Sequence, residues 1–582
     1  MKNLIHVLES QVHEALKSVV PHSAQVGIRP EVTISTQPQF GHYQCNNALK
    51  LAKELKKSPR DVAQAIVAAW DNQSSMIDRF EIAGPGFINI FLSTKFLSQE
   101  ITKVLHDPRL GVPLPKYIQR IIVEFSSPNI AKELHVGHLR STIIGDCLAR
   151  LFEFLGHDVL RLNHIGDWGT QFGMLIAYMR AEVPDVLDGQ KATDLPTLMG
   201  WYRASKKRFD EDPVFKKEAQ LQVVKLQGGD EVALAAWQMI CDISCKAFEE
   251  IYGLLDVKLE KRGESFYNPY LPEVVADLEK RKMVTISNGA KCIYLDGYIG
   301  RDETPLPIII QKTDGGYNYD TTDMAALRHR IEIEKADRII YVTDAGQSLH
   351  FEMIFKAAEK AGYLDPSKVR VDHVPFGVVL GADGKKFKTR SGETEKLIDL
   401  LLEGVSHAEK ILQERLPELP EQELHQAAVI LGIDAIKYAD LSSHRIKDYS
   451  FSYDRMLRFE GNTAAFLLYA YVRMRSIQRK VGKPIDELMK THSIILEHPT
   501  EIDLAVHLRQ FGETLDAVAE ELLPNRLADY LYNLAEKFHA FFRDCRVEGT
   551  PQENSRLLLC EVAARILHQG LQILGLKTLE RM

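Results

Sequence analysis

At positions 128–138 the chain reads Pro128-Asn-Ile-Ala-Lys-Glu-Leu-His-Val-Gly-His138. The apolar run before it, residues 121–125, is typical of a strand buried on both faces. The segment after it has apolar residues at spacings of three and four as far as Gly156, which predicts an amphipathic helix ending at that glycine. A second strand is predicted over residues 159–162. The two histidines therefore lie in the turn between a parallel strand and its crossover helix, where α/β sheets bind nucleotides.

The spacing of these histidines suits a polyphosphate. His135 and His138 are three residues apart, so they share one side of the first helical turn. A helix start offers free N–H groups and a positive dipole, and imidazoles there could donate hydrogen bonds to phosphate charge that grows during displacement. Gly137 has no Cβ, so a flat ring could approach the backbone closely. The alternative is that both histidines only cap the helix or pair with surface groups.

Residues 124–146 resemble the first signature of the class I aminoacyl-tRNA synthetases in its arginyl form. Five further segments resemble the bacterial arginyl-tRNA synthetases, in the same order along the chain: Gly84-Pro-Gly-Phe-Ile-Asn-Ile90, Asn163-His-Ile-Gly-Asp-Trp-Gly-Thr-Gln-Phe-Gly173, Val224-Lys-Leu-Gln-Gly-Gly-Asp230, Lys437-Tyr-Ala-Asp-Leu441 and Phe459-Glu-Gly-Asn-Thr463. Because their order and spacing agree jointly, the resemblance is specific, and it extends along nearly the whole chain.

The resemblance implies an arginine–tRNA ligase. Such an enzyme activates L-arginine with ATP to arginyl-adenylate and pyrophosphate, and then transfers arginine to the 3′-terminal ribose of its tRNA for translation. The expected partners are L-arginine, ATP as a substrate with Mg²⁺, and the tRNA for arginine. The same resemblance leads us to expect a monomer.

Composition limits the class of protein. A hydrophobic content of 45% and a charged content of 26% are ordinary for a globular chain. The sequence has no run of 18 apolar residues and no secretory signal pattern, so we expect no membrane span. The net charge of -8 argues against a general nucleic-acid coat. It does not argue against selective tRNA recognition, which needs only local basic surface and readable loops.

The seven cysteines are scattered and odd in number. No C-x-x-C pair is present, so the sequence indicates neither a zinc ribbon nor a redox motif, and we expect no structural metal. Reduced cysteines are typical of a cytoplasmic protein, which is the location we expect.

Three domains are predicted, although length alone would suggest roughly four. Residues 1–110 are predicted to form an α+β domain, which by resemblance contacts tRNA. Residues 116–450 alternate strands and helices, which predicts an α/β catalytic domain with a doubly wound parallel sheet (Rossmann-like) and a mainly helical insertion at about 180–260. Residues 455–582 are helix-patterned throughout, and by resemblance they form an all-α anticodon-binding domain.

The N-terminal domain has recognisable local signals. Helix patterns cover residues 3–19 and 46–70, and within the second Ser58 is a predicted N-cap with Pro59 at the first helical position. A strand is predicted over residues 87–91. His42 stands where the family commonly has aspartate, so no residue-level role is assigned in this domain.

A basic loop is predicted after the apolar residues 376–380. It reads Gly381-Ala-Asp-Gly-Lys-Lys-Phe-Lys-Thr-Arg-Ser-Gly392. Its cations could lie over a triphosphate, but the residues alone equally suit a solvated hairpin. By resemblance the loop holds the place of the second class I signature, Lys-Met-Ser-Lys-Ser, with Thr389 where its second lysine usually stands. The resemblance offers Lys132 as the compensating cation.

The resemblance assigns three sets of site residues. The catalytic residues are His135, His138 and Lys132, and the ATP-binding residues are Pro128, His135, Gly137, His138, Lys385, Lys386, Lys388 and Arg390. The arginine-binding residues are Glu124, Asn129, Tyr319, Asp323 and Gln347. Carboxylates are expected among them because a guanidinium is planar, always charged and rich in donors.

Two of these assignments depend on local patterns. Residues 314–323 are predicted to form a turn, a short strand that ends at Tyr319, and a helix capped by Thr321 or Thr322. A lone aspartate at the position of Asp323 would by default complement the helix dipole.

A basic stripe follows an aromatic segment in the C-terminal domain. It consists of Arg473, Arg475, Arg479 and Lys480, which by resemblance bind tRNA. Basic residues beside aromatics suit RNA phosphates and stacked bases, whereas a salt-bridged helix face is the alternative from the residues alone.

Two other interpretations of the whole chain are compatible with the sequence. A related class I synthetase or a small nucleotidyltransferase could share the histidine motif, although the latter would not need the helical residues after 450. A non-catalytic tRNA-binding paralogue would have no need to keep His135, His138, Asn129 and Asp323 together.

Overall fold

The computed structural model describes residues 1–21, 29–35, 37–71, 75–187, 189–300, 303–381, 384–385, 387 and 396–582. These residues form two compact units. The first unit comprises Met1–Pro115, Leu412–Ile430 and Met456–Met582, and the second comprises Lys116–Ile411 and Leu431–Arg455.

Helices predominate among the described residues. The helices are α1 (Leu4–Val19), α2 (Asn47–Leu55), α3 (Pro59–Ala69), α4 (Thr94–His106), α5 (Val136–Leu155), α6 (Thr170–Glu182), α7 (Pro184–Leu187), α8 (Leu195–Glu211), α9 (Pro213–Gln227), α10 (Glu231–Leu255), α11 (Leu271–Lys280), α12 (Tyr319–Glu332), α13 (Ser348–Ala361), α14 (Leu397–Arg415), α15 (Glu421–Leu441), α16 (Tyr453–Met456), α17 (Ala464–Val481), α18 (Ile485–Thr491), α19 (Pro499–Arg509), α20 (Phe511–Glu521), α21 (Asn525–Asp544) and α22 (Glu553–Ile573). The strands are β1 (Val32–Ile34), β2 (Tyr43–Cys45), β3 (Ile77–Ala83), β4 (Phe87–Leu92), β5 (Arg120–Glu124), β6 (Asp158–Asn163), β7 (Glu260–Lys261), β8 (Thr285–Ser287), β9 (Ala290–Ile299), β10 (Pro305–Gln311), β11 (Arg338–Asp344), β12 (Arg370–Phe376), β13 (Val379–Leu380) and β14 (Tyr449–Ser450).

The first unit combines a small antiparallel sheet, in the order β1-β2-β4-β3, with the helices at both ends of the chain. Where one helix pattern was predicted over 46–70, the structure has two helices, because Lys56 takes a left-handed conformation (φ +52°) that ends α2. The Ser58 hydroxyl then accepts a hydrogen bond from the Asp61 N–H at 3.1 Å, and Pro59 opens α3. The predicted N-cap is therefore confirmed.

Buried polar contacts join the two ends of the chain inside the first unit. The Tyr43 hydroxyl lies 2.9 and 3.0 Å from the two carboxylate oxygens of Glu513, which also accepts the Ile5 N–H at 2.9 Å. Burial raises the pKa of both the Glu513 carboxyl and the Tyr43 hydroxyl. A buried acceptor without its donor is costly, so this contact ties β2 to α20.

Tyr43→Phe is expected to lower the stability of the first unit by about 1–3 kcal/mol, because it removes the hydroxyl and leaves the ring. Hydrogen exchange of the backbone amides in α1 and α20, followed across a urea titration, measures this loss of stability. Tyr117→Phe, at a tyrosine that is 66% exposed, is the matched control. Equal urea midpoints for the two variants would contradict the expectation.

The second unit is built on a five-stranded parallel sheet in the order β12-β11-β5-β6-β7. Numbered along the chain from β5 as strand 1 and read from the β7 edge, the order is 3-2-1-4-5, which is the doubly wound arrangement. Ile121, Ile122 and Val123 of β5 are wholly buried, as the continuous apolar run predicted. The predicted α/β fold with a parallel sheet is confirmed, and its topological switch point lies between β5 and β11.

Between β6 and β7 the chain forms the helices α6 to α10. One local prediction is wrong. The helix α12 begins at Tyr319 after the N-cap residue Asn318, so Tyr319 does not end a strand. Thr321 caps nothing, because its hydroxyl donates to the Ile310 carbonyl of β10 at 2.6 Å and fastens the helix to that strand.

All seven cysteines are buried and free. Within the described ranges, no helix is long and apolar enough to cross a membrane. The same residues contain no group of three or more His, Cys, Asp or Glu side chains placed to hold a metal ion.

Candidate active site

The turn between β5 and α5 has an unusual backbone that its neighbours hold in place. Ser126, Ser127 and Ala131 are all left-handed, with φ of +69°, +46° and +58°. Each such conformation costs an L residue roughly 1–2 kcal/mol. The hydrogen bonds that offset this cost run from the Ser126 N–H to Ser141 Oγ (2.9 Å), from the Ser127 N–H to Asn163 Oδ1 (3.0 Å) and from the Ala131 N–H to Ser244 Oγ (3.1 Å). The turn is therefore preorganised.

Both histidines of the turn are fixed in one tautomer. The Nδ1 of His138 accepts the His135 N–H at 3.1 Å, and the Nδ1 of His135 accepts the Gly137 N–H at 3.1 Å. A neutral ring that accepts at Nδ1 carries its proton on Nε2. The two rings, whose centres are 4.1 Å apart, therefore offer two Nε2–H donors. They do cap the helix, but capping uses only one nitrogen of each ring.

Both rings are neutral near pH 7. Burial, together with His135 and Lys132, lowers the pKa of His138 to about 3. Desolvation and Lys132 lower the pKa of His135. Gly137 lets the rings take these positions, since a Cβ there would lie 2.9 Å from the His135 ring. The two Nε2–H groups are thus available as uncharged hydrogen-bond donors, and the exposed Lys132 places a positive charge beside them.

The residues around the second signature adjoin this turn. Lys396 pairs with His135 in an antiparallel bridge, and the Leu397 N–H donates to the Leu134 carbonyl at 2.9 Å. At the start of the second signature, the Gly381 N–H donates to the Lys385 carbonyl at 2.8 Å. Lys386, Lys388, Thr389 and Arg390 lie outside the described residues.

Pro128 and Asn129 follow the turn's left-handed serines. Pro128 is buried and its carbonyl accepts the Gly166 N–H at 3.0 Å, whereas Asn129 is exposed and forms a parallel bridge with Gly166. Gln347 is exposed at the end of the 3₁₀ turn that follows β11. Asn129 and Gln347 therefore follow the carboxyl ends of two adjacent parallel strands, on either side of the switch point.

A buried ion pair occupies one predicted arginine-binding carboxylate. Glu124 Oε2 lies 2.5 Å from Nη2 of Arg330, a residue of α12 that is wholly buried. The Arg330 guanidinium also lies 5.2 Å from the Tyr341 ring centre. The charge of Glu124 is therefore already offset within the protein.

The other predicted carboxylate belongs to a chain of three ionisable groups. The His350 ring lies between two aspartates, with Nε2 at 2.6 Å from Asp323 Oδ2 and Nδ1 at 3.3 Å from Asp320 Oδ1. Burial lowers the pKa of His350, but the hydrogen bonds to both carboxylates outweigh burial and raise it to about 9. Two anions and one imidazolium leave this group with one net negative charge. Tyr319, which is 57% exposed, packs its ring 5.1 Å from His350.

A further carboxyl lies within electrostatic reach of this group. Burial first, and then Asp323 and Asp167, raise the pKa of Glu264 to about 8. Glu264, Arg330, Asp320 and His350 were all missed by sequence reasoning. For two of them the sequence spacing could have indicated the site. Arg330 lies seven residues after Asp323, on the same face of a helix, and His350 lies three residues after Gln347.

The predicted tRNA-binding stripe lies on α17 in the first unit. Three of its cations are paired with acids, namely Arg475 with Glu561 at 2.7 Å, Arg479 with Glu580 at 3.1 Å and Lys480 with Glu548 at 2.7 Å. Arg473 instead donates to the Tyr469 hydroxyl at 2.7 Å and lies 5.4 Å from the Phe542 ring centre.

Comparison with known proteins places these features in one family. Residues 6–92 match the arginyl tRNA synthetase N terminal domain, residues 100–453 the catalytic domain of tRNA synthetases class I (R), and residues 467–582 the DALR anticodon binding domain.

Similar proteins agree over the full length. The chain is 61% identical to the arginine–tRNA ligase of Protochlamydia amoebophila, with 100% of both chains covered, and 52% identical to that of Nostoc punctiforme, with 96% of both covered. The crystal structure of arginyl-tRNA synthetase from Plasmodium falciparum is 34% identical and superimposes with a TM-score of 0.88 over 100% of both chains. The chain belongs to the arginyl-tRNA synthetase family of class I.

Proposed function

We propose that this chain, which is an arginine–tRNA ligase, carries out its activation step at the switch point between β5 and β11. The observation that carries the proposal is that two fixed Nε2–H donors, on His135 and His138, follow β5, while the adjacent strand β11 leads to His350, which joins Asp320 and Asp323 in a group of net charge -1. Donors of this kind suit a polyphosphate, and a single negative charge suits a single guanidinium.

In the first step an oxygen of the arginine carboxylate attacks the α-phosphorus of ATP. The bond from that phosphorus to the bridging oxygen breaks, and pyrophosphate leaves with the electron pair. His135, His138 and Lys132 stabilise the phosphate charge, and Pro128 and Gly137 border the nucleotide. Lys385, Lys386, Lys388 and Arg390 are the proposed further phosphate contacts. Mg²⁺ would accompany ATP as a ligand of its phosphates.

The arginine side chain is directed to Asp323 and Tyr319, and the amino-acid end to Asn129 and Gln347. Support comes from Asp323, whose Oδ2 is held by His350 and whose group keeps one uncompensated charge. Glu124 is proposed for the same pocket, and because Arg330 offsets its charge, its proposed part is to shape the site.

In the second step the 2′-hydroxyl of the terminal ribose attacks the activated carbonyl, and AMP leaves. Arg473, between Tyr469 and Phe542, is the best placed of the four proposed tRNA contacts, because Arg475, Arg479 and Lys480 already have acidic partners. Residues 1–110 as a further tRNA contact, a monomeric state and a cytoplasmic location complete the proposal.

Arginine-dependent exchange between ATP and pyrophosphate tests this function, with and without total bacterial tRNA. We expect exchange with arginine alone among the amino acids, and only when tRNA is present. Exchange with another amino acid would contradict the pocket. An absence of exchange from a folded chain that binds ATP would favour the tRNA-binding paralogue.

Arginine binding is expected to strengthen as the pH rises from 7.5 toward 9.5. His350 is an imidazolium below its raised pKa of about 9, and it repels the guanidinium that approaches the same carboxylate. Bound arginine therefore lowers the pKa of His350. For each pKa unit by which it is lowered, the affinity for arginine rises by up to about tenfold across this pH range. Calorimetry in buffers of different ionisation enthalpy measures the released proton.

His350→Gln is the control for this pH dependence. It keeps one hydrogen-bond donor but cannot titrate, whereas Tyr319, Glu264, His373 and the amino group of arginine titrate in both proteins. The difference between variant and parent therefore isolates His350. An unchanged proton release in the variant would show that another group is responsible.

A further inference from the structure

Arg140 is a wholly buried cation on the helix that begins with the two histidines. It lies two residues after His138. Its Nε is 3.0 Å from Asp440 Oδ2, and its Nη1 donates to the Gly377 carbonyl at 2.8 Å and to the Lys447 carbonyl at 3.2 Å. The guanidinium carbon also lies 5.2 Å from the Tyr449 ring centre. A buried charge needs such a set of partners, and here two of them are the backbone carbonyls of Gly377 and Lys447, each two residues before a short strand.

The Gly377 and Lys447 carbonyls lie just before β13 and β14, which pair in parallel. The Gly377 N–H donates to the Arg445 carbonyl at 2.9 Å, and the Val378 N–H donates to Asp448 Oδ1 at 2.7 Å. A Cβ at Gly377 would lie 2.6 Å from Asp448 Oδ1 and 2.8 Å from the Lys447 backbone, so the strands approach as closely as glycine allows.

The strand β13 leads directly into the second signature. The Phe387 N–H returns to the Val379 carbonyl at 3.1 Å, and the Phe387 ring packs 5.2 Å from that of Phe451. The described residues next to Lys385 are therefore fixed to β13. Arg140 in turn fixes β13 to α5.

We propose that Arg140 is a positioning residue for the activation step, which sets the place of β13 and of Lys385 relative to His135 and His138. This inference rests on the proposed function, since it assigns both ends of the link to ATP. Arg140 contacts no substrate. It acts through the two backbone carbonyls at Gly377 and Lys447, and a shift of about 1 Å between positioned groups can lower a rate by 10²-fold.

A purely structural role is the rival explanation. Breaking one partner of a buried ion pair is strongly destabilising, but replacing both partners by apolar residues of similar volume is often neutral or stabilising. The double variant Arg140→Met with Asp440→Leu therefore separates the two roles. It removes the charges together and also removes the donor to Gly377 and Lys447.

The test uses the full-length chain in arginine-dependent ATP–pyrophosphate exchange with tRNA present, and thermal unfolding to verify the fold. We expect the double variant to lower kcat by roughly tenfold to hundredfold, with the KM for arginine within about twofold of the parent. The matched control is Arg338→Met with Asp372→Leu, which removes a buried pair between β11 and β12 and should leave kcat unchanged. A folded double variant with the parent kcat would overturn the proposal.

Arg140→Lys decides the matter if the double variant does not fold. It keeps a cation beside Asp440 but replaces the Nε and Nη1 donors by one ammonium group, so we expect a stable protein with kcat lowered about tenfold. An unchanged kcat in this variant would overturn the proposal as well. If the parent chain itself shows no exchange, the proposed function fails first and the inference falls with it.

Discussion

Asp323→Asn is expected to weaken arginine binding by about 10²–10³-fold while the KM for ATP stays the same, because a guanidinium in the pocket loses its charge partner. In the parent, Asp320, His350 and Asp323 together carry one net negative charge. In the variant this group has no net charge, so it no longer binds a cation more tightly than a neutral group. Equilibrium binding of arginine and of its neutral analogue citrulline measures the effect, and the preference for arginine should nearly vanish.

The matched control for this variant is Asp314→Asn. Asp314 is exposed in the turn before α12, where its carboxylate accepts the Gly316 N–H at 2.9 Å, and it should change arginine affinity by less than about twofold. If Asp323→Asn binds arginine as the control does, the carboxylate that receives the guanidinium must be another one. Glu264, whose pKa is raised to about 8 partly by Asp323, would then be the first to test.

The parts of the fold that sequence reasoning found are those with strong local signals. The apolar run at residues 121–125 predicted a buried strand, and the three-and-four spacing after it ended at a glycine that the structure places at φ +100°. By contrast, the N-cap of α12 was predicted at Thr321 or Thr322, three or four residues after the observed N-cap Asn318. Both threonines predicted as caps are buried, and Thr321 bonds to the β10 backbone, a packing contact that leaves no mark in the local pattern.

The same limit applies to the site. The first signature is local, so His135, Gly137 and His138 could be placed on one helical turn from spacing alone. The partners of Glu124 and Asp323 come from α12 and α13, and nothing near Glu124 in the sequence indicates that Arg330 will reach it. The basic stripe on α17 is a further example. The local sequence shows its cations but not their acidic partners, which lie on α22 and in the residues beside that helix.

His138→Ala is expected to lower the rate of adenylate formation by about 10²–10³-fold, equivalent to ~2.7–4 kcal/mol of barrier. The substitution removes an Nε2–H donor whose direction is fixed by the bond from the His135 N–H to Nδ1. The pKa of His138 is lowered to about 3, so the ring is neutral throughout an assay from pH 6 to 9. Its contribution should therefore be independent of pH over that range, as expected of a donor and not of a cation.

Two variants distinguish this role from helix capping. His157→Ala is the matched control, since His157 lies just beyond the other end of α5 and its Nδ1 accepts the Gln119 N–H at 3.2 Å. It tests the loss of a histidine that accepts a backbone N–H without the loss of a phosphate donor, and we expect the rate to stay near that of the parent. His138→Gln should recover part of the lost rate, because its amide can donate from near the position of Nε2. If folded His138→Ala forms adenylate as fast as His157→Ala, then the ring only caps the helix, and Lys132 and His135 alone must stabilise the phosphates.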